Sequence, residues 1–315
     1  MKQLISTICI VLITVTGLVM AFVTGFSISD MQKDTLMILG IICLVAILYC
    51  FIVGELSKNY SQMDKLWSIL PIIYVWFIAY RAGFTSRITI MAFLVTLWGI
   101  RLTLNFARKG AYTIKFWSGE EDYRWGYLRK NSILKNRLLW VVFNLFFISF
   151  YQNALVLAIT LPGVAIMEST APLGTVDLIA TLLAIGFLFY EFIADEQQHK
   201  FQTEKWKRIN SGQALHDLPH PYNKGFNTTG LWAYSRHPNY LGEQMFWVAI
   251  YLFVVGAQVA KFGLFHWSIF GSMLLILLFL GSATLSESIS AKKYPEYALY
   301  RRSLLRYFPF IKFRG

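Results

Sequence analysis

A chain of 315 residues that is 56% hydrophobic and only 15% charged, with a mean hydropathy of +0.51, is too apolar for a soluble domain, where about a quarter of residues carry charge. Apolar runs of about 20 residues, the thickness of a bilayer core, consume nearly the whole length, so no separate soluble domain fits. The net charge of +12 does not point to nucleic acid, because the Lys and Arg residues lie in short segments between apolar runs, where they set topology and meet anionic headgroups.

The runs cover 4–26, 35–55, 66–83, 88–106, 138–166, 174–194, 239–260 and 262–285. They predict an all-α, polytopic membrane helical bundle of about eight transmembrane helices. The first run is longer than a signal-peptide core and lacks a clear small-residue cleavage site, so it reads as a retained helix. With the second it forms an N-terminal two-helix segment, 1–60, ahead of a main membrane domain, 61–315. Cys9, Cys43 and Cys50 all fall in these first two spans without a CxxC pair, which suits packing rather than a disulfide framework or zinc. The connector 107–137 carries eight Lys or Arg residues, the connector 195–238 six and the tail 286–315 seven, whereas 167–173 carries none. The positive-inside rule puts these basic segments, and with an even number of spans both termini, in the cytoplasm. Arg81 and Arg87, on the opposite side, run against that assignment. Residues 211–230 form a Gly-, Pro- and Asn-rich irregular stretch, long enough for a binding loop or lid. The tail mixes aromatic and basic residues at helical spacing, as in a short helix at headgroup level.

An ionisable side chain inside an apolar span costs at least a few kcal/mol, so each one is a candidate site. Asp64 opens the third span in MDKLWSILP. Arg101 and Asn105 lie one turn apart and lead into Arg108 and Lys109, a stripe suited to phosphate. Glu191 and Asp195 end the sixth span in FYEFIADEQQ. Singly, each also fits an interfacial cap, a snorkelling side chain or a structural ion pair. The acids of GEEDYRW, 119–125, fit a solvated loop with internal ion pairs equally well. The most informative stretch is GLWAYSRHPNYLGEQMFW, 230–247. Here Tyr234, Ser235, Arg236, His237 and Asn239 precede or open a spanning helix, with Pro238 at its start and Glu243 one turn inside. A capped helix with an Arg–Glu pair is the plain reading. A helix N-terminus with an arginine is also an anion site, and a neighbouring buried carboxylate suits a neutral polar ligand such as a carboxamide. His216, Asp217 and His220, near His199, make a weak metal pattern in an irregular loop, and no metal is expected. No dinucleotide fingerprint or P-loop is present.

The run GLWAYSRHPNYLGE, with EFIADEQQHKF before it and SESISAKKYPEYALYRRSLLRYFPF after it, resembles the membrane steroid 5-alpha-reductase superfamily, especially its bacterial branch. The likeness covers 60–315 and is strongest over 190–310. It implies a helical cavity that takes NADPH from the cytoplasm and a hydrophobic enone from the bilayer, in a multi-pass protein of the cytoplasmic membrane. By that resemblance Asn239 and Glu243 hold the nicotinamide end, Tyr234 and Arg236 with their neighbours Ser235 and His237 form the cofactor loop, and Asp195 is the acid ending the preceding helix. Arg101, beside Asn105, is the cofactor-contacting arginine. Asp64 stands where the steroid enzymes use a glutamate beside the substrate carbonyl, and Tyr74 is a second candidate donor. Trp98 replaces the expected carbonyl-binding tyrosine, and His199 and Gln202 replace two arginines, so steroid itself is not implied.

A rival resemblance is to membrane methyltransferases of the isoprenylcysteine carboxyl type, which use S-adenosylmethionine. It rests on the RHPxYxG pattern, a later acid such as Glu287 and the tail. Trp98 to Arg101, 119–125 and 194–197 favour the reductase. A non-catalytic lipid-binding protein or transporter is the third reading, but neither inverted repeats nor broken midplane helices are visible.

Overall fold

The computed structural model describes residues 2–23 and 25–313. Helices α1 (Lys2–Val23), α2 (Asp30–Ser57), α3 (Gln62–Leu66), α4 (Leu70–Arg81) and α5 (Ser86–Ala107) are followed by α6 (Tyr123–Asn131). The run 137–166 is built from α7 (Arg137–Phe143), a π-helical stretch (Asn144–Tyr151), α8 (Gln152–Ala158) and α9 (Leu161–Ile166). Then come α10 (Thr175–Asn210), α11 (Pro238–Gly256), α12 (Phe270–Lys293) and α13 (Tyr297–Ser303). Among the described residues there is no strand, only an isolated bridge between Lys261 and Phe265. The fold is a polytopic helical membrane bundle. Among the described residues six helices or helical runs are long and apolar enough to cross a bilayer. The expected spans at 66–83 and 239–260 are also helical, but α4 has only 12 residues, and α11 carries Asn239, Glu243 and Gln244 in its first two turns.

Local chemistry sets the boundaries. Ser29 and Gln32 form a capping box at the start of α2, which satisfies two backbone donors reciprocally. Pro71 and Pro162 lie in the first turns of α4 and α9, where a missing N–H costs nothing. The span expected at 262–285 begins eight residues later. Lys261 and Phe265 close a turn through Gly263, whose φ is +74°, and the His266 side chain accepts from the backbone of Ser268 ahead of α12. At the other boundary, α10 continues to Asn210, well past the apolar run, because DEQQHKFQTEKWKRIN is rich in helix formers.

The chain divides into two compact units. The first comprises 1–16, 183–247 and 276–315, and the second 17–182 and 248–275. In the first, Phe226, Tyr294, Tyr297, Tyr300 and Leu304 form a buried aromatic core that joins the 211–230 loop to the tail. In the second, α2 packs on α8, α9 and α4, and α4 lies along α5. Arg87 and Asp177 pair within this unit at 2.7 Å, both side chains buried. The guanidinium also donates to the carbonyls of Ala171, Pro172 and Gly256.

Candidate functional site

In the first unit the stretch 235–237 is folded onto the tail. Ser235 Oγ and the His237 backbone N–H both donate to the Arg306 carbonyl, at 3.1 and 3.0 Å. Tyr300 Oη donates to the carbonyls of Trp232 and Ser235. Beneath them sits Glu287, 2% exposed. Its Oε2 accepts from Arg236 Nη1 at 3.0 Å, and its Oε1 meets His237 Nε2 at 3.1 Å and Arg306 Nε at 3.3 Å. Burial lowers the His237 pKa despite the carboxylate beside it, so the ring is neutral and Nε2 carries its proton toward Glu287. The same burial lowers Arg236, with Glu287 opposing. Arg236 therefore pairs with Glu287 on α12, and its Nε remains a buried donor with no partner among the described residues. Tyr234 points outward, at 38% exposure.

Asn239 and Asp195 are brought together: Asn239 Nδ2 donates to Asp195 Oδ1 at 3.2 Å. This fixes the amide orientation and leaves Asn239 Oδ1 as a buried acceptor atom without a partner among the described residues. Glu243 follows one turn later and is buried. Gly242, between them, permits the approach of α11 to α10. A Cβ there would stand 2.6 Å from Glu191 Cβ and 3.0 Å from its Cα.

In the second unit two stretches distant in sequence are bound together. Glu121 Oε1 accepts from the Tyr60 backbone N–H, and the Asp122 N–H donates to Ser61 Oγ. Asn59 Nδ2 donates to the Gly119 carbonyl, and Lys65 Nζ to those of Phe116 and Ser118, both at 2.6 Å. Trp125 Nε1 donates to Asp64 Oδ2 at 2.8 Å. The GEEDYRW segment is therefore a strap over the stretch that carries Asp64. Burial and the nearby Asp122 carboxylate push the Asp64 pKa up to about 6, against the opposing pull of Arg124. Burial also works on Asp122, but Arg124 beside it holds its pKa below the usual value. Lys65, itself fully buried, is lowered by burial.

Tyr74 is fully buried on α4, against the Cys43 thiol of α2. Asp64 and Tyr74 both interact electrostatically with Cys50, which places both near one interior patch of this unit. Trp98 is fully buried and Arg101 half-buried on α5. Asn105 Oδ1 accepts from Arg108 at 2.8 and 3.0 Å. His216 and Asp217 form an exposed pair at 3.3 Å, and no group of three or more potential metal ligands gathers among the described residues. One residue of this cluster escapes a reading by motif: Glu287 appears in the sequence only as part of the rival resemblance.

Comparison with known proteins gives a relative in Schizosaccharomyces pombe, an uncharacterised protein 36% identical over 283 residues, which cover 84% of this chain and 79% of the yeast protein. No solved structure matches. The family described as "Protein of unknown function (DUF1295)" matches residues 50–304, from the end of α2 through α13, and the chain belongs to that DUF1295 family.

Proposed function

We propose that the chain is a membrane reductase of the steroid 5-alpha-reductase superfamily, using NADPH to saturate a C=C bond conjugated to a carbonyl in a hydrophobic substrate drawn from the bilayer. The observation that carries this reading is Asn239. Its N–H is taken by Asp195, and its Oδ1 is an orphaned acceptor one turn before the buried Glu243. An acceptor oxygen beside a carboxylate suits a ligand that presents N–H groups, as the carboxamide of a nicotinamide does. Arg236 keeps Nε as a donor beyond its pair with Glu287, which suits an anionic group, and Arg101 is the second cation assigned to the phosphates by resemblance. NADPH held there would supply the hydride for the β-carbon of the enone and leave as NADP+, and the α-carbon of the resulting enolate would take a proton from water.

The chain's own part is to meet the charge that develops on the carbonyl oxygen. Asp64 does this as a protonated carboxyl, and its raised pKa keeps the proton available. Tyr74 is the second donor. The positive-inside rule assigns the cofactor side to the cytoplasm. The methyltransferase reading is disfavoured by Glu287, the acid it singles out. Both oxygens of that carboxylate are consumed by Arg236, His237 and Arg306, which leaves little for the ammonium of S-adenosylmethionine.

The test is ligand binding to detergent-purified protein. NADPH binds the wild type, and Asn239→Ala and Glu243→Ala each weaken it about tenfold, the loss of roughly 1.4 kcal/mol expected of one buried hydrogen bond. Binding of S-adenosylmethionine alone replaces the reductase by the methyltransferase. Binding of neither leaves a non-catalytic lipid-binding role and overturns both enzymes.

A further inference from the structure

The apolar run 137–166 contains polar residues that no motif accounts for. Asn144, Ser149, Gln152 and Asn153 are all buried, on or beside the π-helical stretch Asn144–Tyr151. Such a bulge shifts the helical register and is frequent at functional sites. Part of this polarity is structural. Asn144 Nδ2 donates to Glu55 Oε1 at 2.9 Å, and Ser149 Oγ to Asn144 Oδ1 at 3.4 Å.

Asn153 is different. Its Nδ2 donates to the Ser149 carbonyl at 2.7 Å and to Cys50 Sγ at 3.6 Å. A carbonyl only accepts, so the amide cannot be turned over, and Oδ1 is fixed on the other side. That oxygen is buried on a fully buried residue and has no partner among the described residues. Leaving such an acceptor unmatched costs about 1–3 kcal/mol. Tyr74 Oη, also fully buried, lies against the Cys43 thiol and has no nitrogen or oxygen partner among the described residues. The two groups share a neighbourhood. Asn153 is on α8, Tyr74 on α4 and both cysteines on α2, three helices that pack on one another, and Cys50 interacts with Asn153 and Tyr74 alike.

We infer that Asn153 and Tyr74 form a buried binding site for the hydroxyl group of an apolar alcohol. The phenol donates to the hydroxyl oxygen, and Asn153 Oδ1 accepts its proton. A ketone or an ether satisfies only the phenol. A charged group is not matched, since neither partner carries charge. The site stands on these two residues whether or not the chain is a reductase; if it is one, the inference rests on that reading, names a hydroxyl as a second polar group on the substrate, and gives the single Tyr74 proton to that hydroxyl, which leaves Asp64 to meet the carbonyl.

The experiment is photo-crosslinking in detergent with three matched probes, a diazirine-bearing long-chain alcohol, its methyl ether and the corresponding alkane, with the labelled peptides identified by mass spectrometry. The alcohol labels α2, α4 and α8 of the wild type about fivefold more than the ether, the discrimination of one buried hydrogen bond. Asn153→Leu, of similar volume, reduces the alcohol to the level of the ether. Equal labelling by alcohol, ether and alkane overturns the inference and leaves water as the partner of both groups. Should Asn153→Leu fail to fold, the three-probe comparison on the wild type decides alone. NADPH binding to the wild type is read separately, so its absence beside a preserved preference for the alcohol removes the reductase and keeps the site.

Discussion

The Asp64 carboxyl meets opposing influences, since burial and the Asp122 carboxylate disfavour its charge while Arg124 favours it. A carboxyl whose folded pKa rises from 3.8 to about 6 holds its proton up to that pH and loses it above. If the protonated form meets the substrate carbonyl, kcat/KM is full below about pH 6 and falls about tenfold per pH unit above it. Asp64→Asn keeps an N–H donor that does not titrate, so its profile is flat across the same range. A wild-type profile flat from pH 5 to 8 removes Asp64 from the chemistry. At this scale the sequence was most legible where polarity interrupted an apolar run: Asp64, Asp195, Asn239 and Glu243 stood out because a bilayer does not tolerate such groups idly. The partner of each was not legible. Arg236 reads as a wholly free phosphate ligand until Glu287, 51 residues away, is seen to take its Nη1, which leaves Nε for an anion. Sequence spacing carries no signal for a contact between separate helices.

Among the helices, Arg87 and Asp177 show what a paired charge does. Arg87 is on α5 and Asp177 on α10, each buried, and Arg87 also satisfies three carbonyls. Removing one partner leaves the other charge buried and alone, at a cost of about 3–5 kcal/mol. Asp177→Ala and Arg87→Ala each lower the melting temperature sharply in detergent. The double variant Arg87→Met with Asp177→Leu recovers much of the loss, though not all, because the carbonyls of Ala171, Pro172 and Gly256 lose a donor. Single variants as stable as the wild type would show that the pair carries no stability. Element boundaries followed the same logic as the residues. Apolar length marked α2 and α5 closely, since each is one uninterrupted helix. It misplaced the start of α12, because the turn at 261–265 is itself apolar apart from Lys261 and Gly263. It also missed the break at Pro162 and the π-helical stretch, whose i→i+5 hydrogen bonds have no compositional signature.

For the whole molecule, the Arg87–Asp177 pair bears on topology. Charge bias in the loops orients a membrane protein, and a guanidinium neutralised by a buried carboxylate no longer weighs as a free loop charge in the folded state. Arg81, Lys33 and Lys261 then remain against the basic connectors and tail. The positive-inside rule then predicts 107–137, 195–238 and the tail on the cytoplasmic side and the turn at 261–265 on the other. Single cysteines test it. Cys9 is exposed, whereas Cys43 and Cys50 are buried, so Cys9→Ser gives a background unreactive to a membrane-impermeant maleimide. In that background Lys130→Cys and Ser211→Cys, both at exposed positions, are labelled in inside-out vesicles and protected in right-side-out ones. Phe262→Cys, at a position 77% exposed, shows the reverse. Labelling of Ser211→Cys and Phe262→Cys from the same side would mean that α11 does not cross the bilayer, and Asn239 and Glu243, in the first turns of that helix, would then have no assigned side from which to meet a cytoplasmic cofactor. The polar start of α11 makes this the decisive span: its length permits a crossing, its first two turns resist one, and the outcome fixes whether the residues that carry the proposed function face the compartment that holds NADPH.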